Sequence, residues 1–388
     1  MTFDALWDEL LPIGREASTG GYRRFAWTPP DLALREWFAS AARGRGLDLT
    51  VDRAGNQWAW WGDPDAVPGV VAGSHLDSVP DGGAFDGPLG VVSALLAVDA
   101  LRSKGFVPSR PIGIVNFADE EGARFGVACA GSRLITGLLA ASRALALRDG
   151  DGITMAEALR SAGRPTAEIG RDDEALQRVA AFVELHIEQG RGLVDLGEPV
   201  AVASAIWPHG RWRAELPGEA NHAGTTRLAD RHDPMLACAR LVLAARESAQ
   251  RHEAVATCGK VRVEPNGVSA IASHVTAWID VRAPRAQAVR NVVAELPAGT
   301  LVEESWTDET AFDIALRERL GAVLGNPPVL ATGAGHDAGI LATAGIPSAM
   351  LFVRNPTGVS HSPAEFAERD DCLAGVDALT AVLEELAR

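Results

Sequence analysis

Four stretches of this chain run apolar, break into a loop and place a metal-type ligand at the break. They are VVAGSHLDS with His75, IGIVNFADEEG with Glu120 and Glu121, FVELHIEQG with His186, and AMLFVRNPTGVSHSP with His361. A fifth group, Asp86, stands in the loop GGAFDGPLG. Ligands of open α/β sheets collect outside the carboxyl ends of the strands, so these groups are expected to converge there. Imidazoles, an aspartate and paired glutamates in one pocket suit two divalent cations, and that is hydrolytic chemistry. A donor set of imidazole and carboxylate without thiolate fits zinc, manganese, cobalt or nickel.

Each group taken singly also has a plain structural reading. His75 and Asp77 form His-x-Asp at a strand end, where alternate residues share a face. Asp77 is expected to hold one ring nitrogen while the other meets metal; a capped core histidine is the alternative. Asp86 has glycines on both sides, which let the backbone approach closely, although turns commonly carry an aspartate. Asp119, Glu120 and Glu121 are three consecutive acids after a strand as apolar as IGIVNF. Such crowding is costly unless cations offset it, or unless the acids cap a solvated helix start. One glutamate can ligate a cation while its neighbour takes a proton from water. His186 has Glu184 and Glu188 at alternate spacing, and His361 lies in a Gly/Ser/Pro loop. The joint pattern, with every group at an expected strand end, separates a metal centre from the structural readings.

Two further groups fall later in the chain. Asn221-His222-Ala223-Gly224-Thr225-Thr226 is a polar turn around one histidine. Arg282 closes the strand IDVR, and its planar, always-charged fork suits a substrate carboxylate; a surface strand end is the alternative.

The elements that must position these groups follow from periodicity. Residues 31–43 read as an amphipathic helix after Thr28-Pro29-Pro30, and residues 47–61 as a strand pair. From Gly69 to Arg133 the order is strand, loop, helix, strand, the pattern of a βαβ unit and a parallel sheet. Residues 143–173 are more polar, with one short helix, and strand signal resumes at 179–187. From about Ser204 the pattern changes to alternating strands (211–216, 260–263, 274–281) with helices expected at 233–250 and 285–296. Helices at 312–325 and 338–344, a strand at 349–353 and a closing helix at 371–386 follow. The expected class is α/β: a mostly parallel sheet with helices on both faces, plus an inserted α+β layer. The expected domains are a discontinuous one over 1–203 and 310–388, and an insert over 204–309.

Composition bounds the rest. The chain has 388 residues, enough for two domains, and its 47% apolar content is in the globular range. Its 51 acids against 36 bases give a net charge of −15, which disfavours nucleic acid and anionic membrane as partners. Cys129, Cys238, Cys258 and Cys372 show no CxxC spacing, so a disulfide framework is not expected. The N-terminus carries acids where a signal peptide needs bases, and no stretch reaches transmembrane length, so a cytoplasmic location is expected. Gly333 to Ala338 fits the dinucleotide pattern G-x-G-x-x-A, but no acid lies about twenty positions on. There is no G-x-S-x-G nucleophile elbow.

The blocks GSHLDSVPDGGAFDGPLGVV, DEEGARFGVACAGSR, ELHIEQG, GEANHAGTT, GAGHDA and SHSPAE occur in this order. In that order they resemble the amidohydrolase branch of the dinuclear metallopeptidase superfamily. That branch contains N-carbamoyl-L-amino-acid hydrolases, allantoate amidohydrolases and β-ureidopropionases. The resemblance covers nearly the whole chain. It implies that His75, Asp86, Glu121, His186 and His361 ligate two metal ions, with Asp86 bridging, and that Glu120 is the general base. It also implies that the insert is a lid and dimerisation domain whose His222 reaches the partner subunit's site to stabilise an oxyanion. Gln189 and Arg282 match substrate-contacting positions. One departure stands out. Asn266 is kept in the Pro-Asn-x-x-Asn stretch, but Ser269 replaces its second asparagine, thirteen residues before Arg282. That shortens one arm toward the substrate's head group.

The sequence thus predicts a homodimeric amidohydrolase for a small N-carbamoyl or ureido acid with a free carboxylate. An exopeptidase, an N-formyl or N-acyl amidase on the same scaffold and a non-catalytic binding module are the alternatives.

Overall fold

The computed structural model describes residues 2–297 and 300–388; Met1, Ala298 and Gly299, which fall inside the expected domain ranges, lie outside the described residues. In chain order the strands are β1 Asp48–Val51, β2 Gln57–Trp61, β3 Gly69–His75, β4 Ile112–Phe117, β5 Val179–Ile187, β6 Val200–Ile206, β7 His209–Pro217, β8 Asn221–His222, β9 Val255–Glu264, β10 Ala270–Ile271, β11 His274–Arg282, β12 Thr300–Thr307, β13 Thr310–Ala311, β14 Val329–Thr332 and β15 Ser348–Val353. The chain divides into two compact units. The first holds 1–204, 311–330 and 335–388, and the second holds 205–310 and 331–334.

The first unit is α/β and is built on a sheet ordered β1-β2-β4-β3-β5-β15-β6-β13, with β14 also beside β6. Its four central strands, β4, β3, β5 and β15, run parallel. Antiparallel pairings flank them at β2–β4 and β15–β6. The parallel core follows from composition. Strands β3, β4 and β15 are buried at every position, as strands covered on both faces must be. On one face Val70, Ala72, Ile112, Ile114, Val183, Leu185, Ala349 and Leu351 share a core with the helices Pro88–Ser103 and Arg369–Leu386. The period-two alternation places His75 and Glu184 outside that cluster. The helix Pro88–Ser103 links β3 to β4 and completes the expected βαβ unit.

The second unit is a four-stranded antiparallel sheet, β12-β7-β11-β9, with the helices Pro234–Arg251 and Ala286–Ala294 packed on it. Alternate residues of β11 (Val275, Ala277, Ile279, Val281) and of β7 (Trp212, Ala214, Leu216) form its core. Here one sheet face is buried and the other is open, which is why these strands alternate in sequence. A two-stranded ribbon, β8–β10, pairs His222 with Ala270.

Several details differ from the sequence reading, among them the helix Phe3–Leu10 and the strand β12, which were not expected. Residues 331–334 were expected with the first domain but cluster with the second, where the Trp207 amide donates to the Thr332 carbonyl at 2.8 Å. The strands β6 and β14 carried no recognised signal: β6 (VAVASAI) is alanine-rich, and β14 has only four residues. Among the described residues, no helix is long and apolar enough to cross a membrane.

Candidate metal centre

Each group of the first unit sits where a strand gives way to a loop. His75 ends β3 and His186 is the penultimate residue of β5. Asp119, Glu120 and Glu121 follow β4, and His361 lies beyond β15. Asp86 immediately precedes Gly87, which has φ +87° and opens the helix Pro88–Ser103. A Cβ at Gly87 would fall 2.4–2.7 Å from the His75 ring, so only glycine lets the Asp86 loop pass this close. Asp119 and His361 have φ of +55° and +54°. Such left-handed non-glycine residues cost about 1–3 kcal/mol each and cluster at functional sites.

The carboxylate of Asp86 faces two sets of donors. Its Oδ1 lies 3.1 Å from His186 Nε2 and 3.7 Å from His75 Nε2. Its Oδ2 lies 3.3 Å from His361 Nε2, which is 3.7 Å from Glu121 Oε2. Two overlapping groups of potential ligands result: His75, Asp86 and His186, and Asp86, Glu121 and His361. A third grouping, Glu184, His186 and His336, is less open, because Glu184 already accepts from Ser74 Oγ at 2.7 Å and the Ala338 amide at 2.9 Å.

The ring tautomers follow from the second nitrogen of each histidine. His75 Nδ1 donates to the Asp77 carbonyl at 3.1 Å, and His186 Nδ1 donates to the Ile187 carbonyl at 2.9 Å. In the neutral ring each Nε2 presents a lone pair toward Asp86; with no metal ion between them the facing carboxylates, against the effect of burial, raise both imidazoles above their usual value, and a proton takes that place. His75 Nε2, His186 Nε2 and Glu121 Oε1 are buried and have no hydrogen-bond partner. Ring nitrogens facing a carboxylate at 3–4 Å need a positive charge between them, a proton or a metal ion. Donors about 2.0–2.2 Å from one cation lie about 3–4 Å from each other, so the spacing fits metal ligation.

Charge makes the same demand. Asp86, Glu120, His75 and His186 are all less than a tenth exposed. Burial pushes Glu120 well above the usual carboxylate range, His75 offsets this, and Asp337 and Glu121 raise it further. Burial also pushes Glu121 up to about 7, with the Asp86 charge adding to it. Burial works against the charge on Asp86 as well, but the imidazoles of His186 and His361 hold it well below the usual range. Buried carboxylates crowded like this cost several kcal/mol unless compensated, and divalent cations invert that logic.

Asp77 acts differently from the sequence expectation. Its carbonyl, not its carboxylate, holds His75, and the carboxylate stands 3.6 Å from Nδ1. The carboxylate instead accepts the Glu120 and Glu121 amides at 3.1 and 3.0 Å, so it orients the acidic turn. Glu188 accepts the Gly192 and Leu193 amides and serves the loop. Gln189 donates to Asp86 Oδ2 at 2.7 Å, which places it at the ligand set itself.

The remaining candidates, His222, Asn266, Ser269 and Arg282, belong to the second unit. His222 is exposed, and its Nδ1 accepts the Gly224 and Thr225 amides at 3.0 and 3.2 Å. That fixes the neutral tautomer with its proton on Nε2, ready to donate. Ser269 lies beside it: its carbonyl accepts the Ala223 amide at 2.9 Å. Asn266 and Ser269 are both exposed. Arg282 spends its Nε and Nη2 on the Asp280 carboxylate at 2.6 and 3.0 Å, and Nη1 on the Gly333 carbonyl at 2.7 Å. One proton is left on each of Nη1 and Nη2, the two nitrogens of the end-on edge, and these remain for a carboxylate.

Residues 62–385 match the model of peptidase family M20/M25/M40. The chain belongs to that family. It is 37% identical, over a 411-residue alignment, to the N-carbamoyl-L-amino acid amidohydrolase of Geobacillus stearothermophilus, covering 99% of this chain and 98% of that one. It is 33% identical to the allantoate amidohydrolase of Escherichia coli strain K12, covering 95% and 93% of the two chains. A crystal structure of a hydantoinase/carbamoylase family amidase from Burkholderia vietnamiensis aligns with a TM-score of 0.87 at 29% identity, over 100% of this chain and 97% of that one.

Sequence reasoning missed two residues at the metal centre, and one beside Arg282 in the second unit. The Cys129 thiol, pushed well above its usual range by burial and by Glu120, donates to Glu120 Oε1 at 3.2 Å. Nothing in the cysteine spacing signals this. Asp280 orients Arg282 from two positions before it, and strand alternation could have found it. Glu365 accepts the Asp86 amide and is taken up below. A cavity of about 400 Å³ lined by Trp58, Trp60, Arg53 and Arg164 lies apart from the site. Two of its carboxylates, Asp52 and Asp172, are already hydrogen-bonded to Asn56, Trp58, Arg53 and Ala175.

Proposed function

We propose that the protein is a metal-dependent amidohydrolase cleaving a linear, non-peptide C–N bond in a small N-carbamoyl amino acid or ureido acid, with allantoate in range. The observation that carries this is Asp86, whose two oxygens face separate ligand sets with a second carboxylate, Glu120, alongside. The curated relatives supply the bond type. His75, Asp86 and His186 would hold one divalent ion, and Asp86, Glu121 and His361 the other; zinc, manganese, cobalt and nickel all suit these donors. Such ions polarise the substrate carbonyl and acidify water when bound.

The chain's own residues perform the remaining work. Glu120 takes the proton from the attacking water and returns it to the leaving nitrogen. Its Oε1 is steadied by the Cys129 thiol, which leaves Oε2, 3.7 Å from His75 Nε2, on the ligand side. His222 donates its Nε2 proton to the developing oxyanion. Arg282 grips the substrate carboxylate through its end-on edge and sets the reacting carbonyl in place. Gln189, Asn266 and Ser269 contact the polar head of the substrate. The second unit serves as a lid and dimerisation domain, and the protein works as a cytoplasmic homodimer. Exposed Leu236 and Leu243 on one helix of that unit, and Val261 on the neighbouring edge strand β9, supply an apolar face for a second copy. A strictly monomeric protein by light scattering would exclude the dimer.

Metal-loaded protein offered allantoate, N-carbamoyl, N-formyl and ureido acids, and dipeptides, tests the activity. Ammonia release from a carbamoyl or ureido acid is the expected result. Turnover of dipeptides alone would place the protein among exopeptidases, and no turnover of any substrate would favour a binding role. Arg282→Leu is expected to lower kcat/KM for carboxylate substrates about 10- to 150-fold, mostly through KM. That range corresponds to the loss of charged hydrogen bonds worth about 1.5–3 kcal/mol. Amide-capped analogues of the same substrates should be little affected, and an equal loss on both would refute carboxylate recognition.

A further inference from the structure

The Asp86 and His361 loops are far apart in sequence, yet each brings donors to the same cation pair. Glu365, 5% exposed, joins them. Its Oε1 accepts both the Phe85 and the Asp86 amides at 2.9 Å. Its Oε2 lies 3.3 Å from Ser360 Oγ, and that hydroxyl lies 3.4 Å from Asp86 Oδ2. The Glu365 amide donates to the Ser362 carbonyl at 3.0 Å, which closes the turn just after His361. The flanking residues repeat the link: Phe366 packs edge-on against Phe85, with ring centroids 6.1 Å apart. Gly83 makes room, since a Cβ there would come within 2.3 Å of Glu365 Oε1.

We propose that Glu365 is a positioning residue for the metal centre: it fixes the backbone at Asp86 and binds the Asp86 loop to the His361 loop. The inference rests on the dinuclear reading given above. It singles out one of the two ion sites. His75 and His186 lie in paired strands β3 and β5, so their geometry does not depend on Glu365. His361 sits on a loop, half exposed, and reaches Asp86 and Glu121 only while that loop is held. Losing Glu365 therefore weakens the ion shared by Asp86, Glu121 and His361, which loses the hold on two of its ligands, far more than the one whose His75 and His186 stay fixed by the sheet. What the loops need is an acceptor at Oε1, not a charge, and glutamine supplies one.

Manganese binding to the full chain tests this without substrate, by titration and by the spin-coupled resonance signal of a close Mn²⁺ pair. Wild type and Glu365→Gln are expected to bind two ions per chain and show the coupled signal. Glu365→Ala is expected to keep one ion, weaken the second about 10- to 100-fold, as loss of outer hydrogen bonds does, and lose the coupled signal. Circular dichroism and metal-free melting monitor folding. If Glu365→Ala does not fold, Glu365→Asp, one methylene shorter, is expected to show the same selective loss. Two tight ions in both shortened variants would overturn the proposal, as would a glutamine variant that behaves like alanine. Fewer than two ions in wild type would instead overturn the dinuclear reading, and this inference with it.

Discussion

Glu120→Gln is expected to lower kcat by about 10²–10⁴-fold, the contribution typical of a positioned general base, while both ions stay bound. Glutamine keeps the volume of the side chain and still accepts at Oε1, where Cys129 donates. It cannot carry a proton from water to the leaving nitrogen. Neither of the two ligand groups that share Asp86 contains Glu120, so metal content should match wild type. Stopped assays with metal analysis on the same sample check both halves. Near-normal turnover would remove Glu120 from proton transfer. Loss of metal together with activity would make it a ligand instead.

Asp86→Asn is expected to give the opposite split. Each Asp86 oxygen faces a different donor set, and an amide replaces one oxygen with a group that can only donate. The negative charge shared between the two ions is lost as well. Metal affinity should fall by more than about 100-fold, beyond what an outer-shell substitution costs, and turnover should drop below detection. Metal analysis after dialysis reads the first effect. If the Asp86→Asn variant retains two tightly held ions, Asp86 does not lie between them. The two variants therefore separate holding the ions from using them: one is full and silent, the other empty.

The convergence of His75, Asp86, Glu121, His186 and His361 was legible because strand ends are marked twice in sequence. The strands are continuous apolar runs, and the first polar residues after them must lie at one end of a parallel sheet. The βαβ unit and the antiparallel layer were legible for the same reason: burial on two faces and burial on one leave different periodicities. What escaped depended on contacts across long separations or on short segments. Glu365 meets the Asp86 amide across 279 positions, and no local pattern encodes that. Asp77 was assigned to the right neighbourhood, but spacing alone does not decide whether carbonyl or carboxylate meets His75. The fork of Arg282 is largely occupied by Asp280, a contact two residues away that strand alternation permits but does not require. Strand β14 alternates over four residues only, too few for its period to register.

The central claim is that two divalent ions share the Asp86 carboxylate. Anomalous diffraction from crystals of the manganese- or zinc-loaded protein reads this directly. The account predicts two peaks per chain about 3.5–4 Å apart, one beside His75 and His186, the other beside Glu121 and His361, with Asp86 between them. A single peak, or a pair that does not flank Asp86, would contradict it.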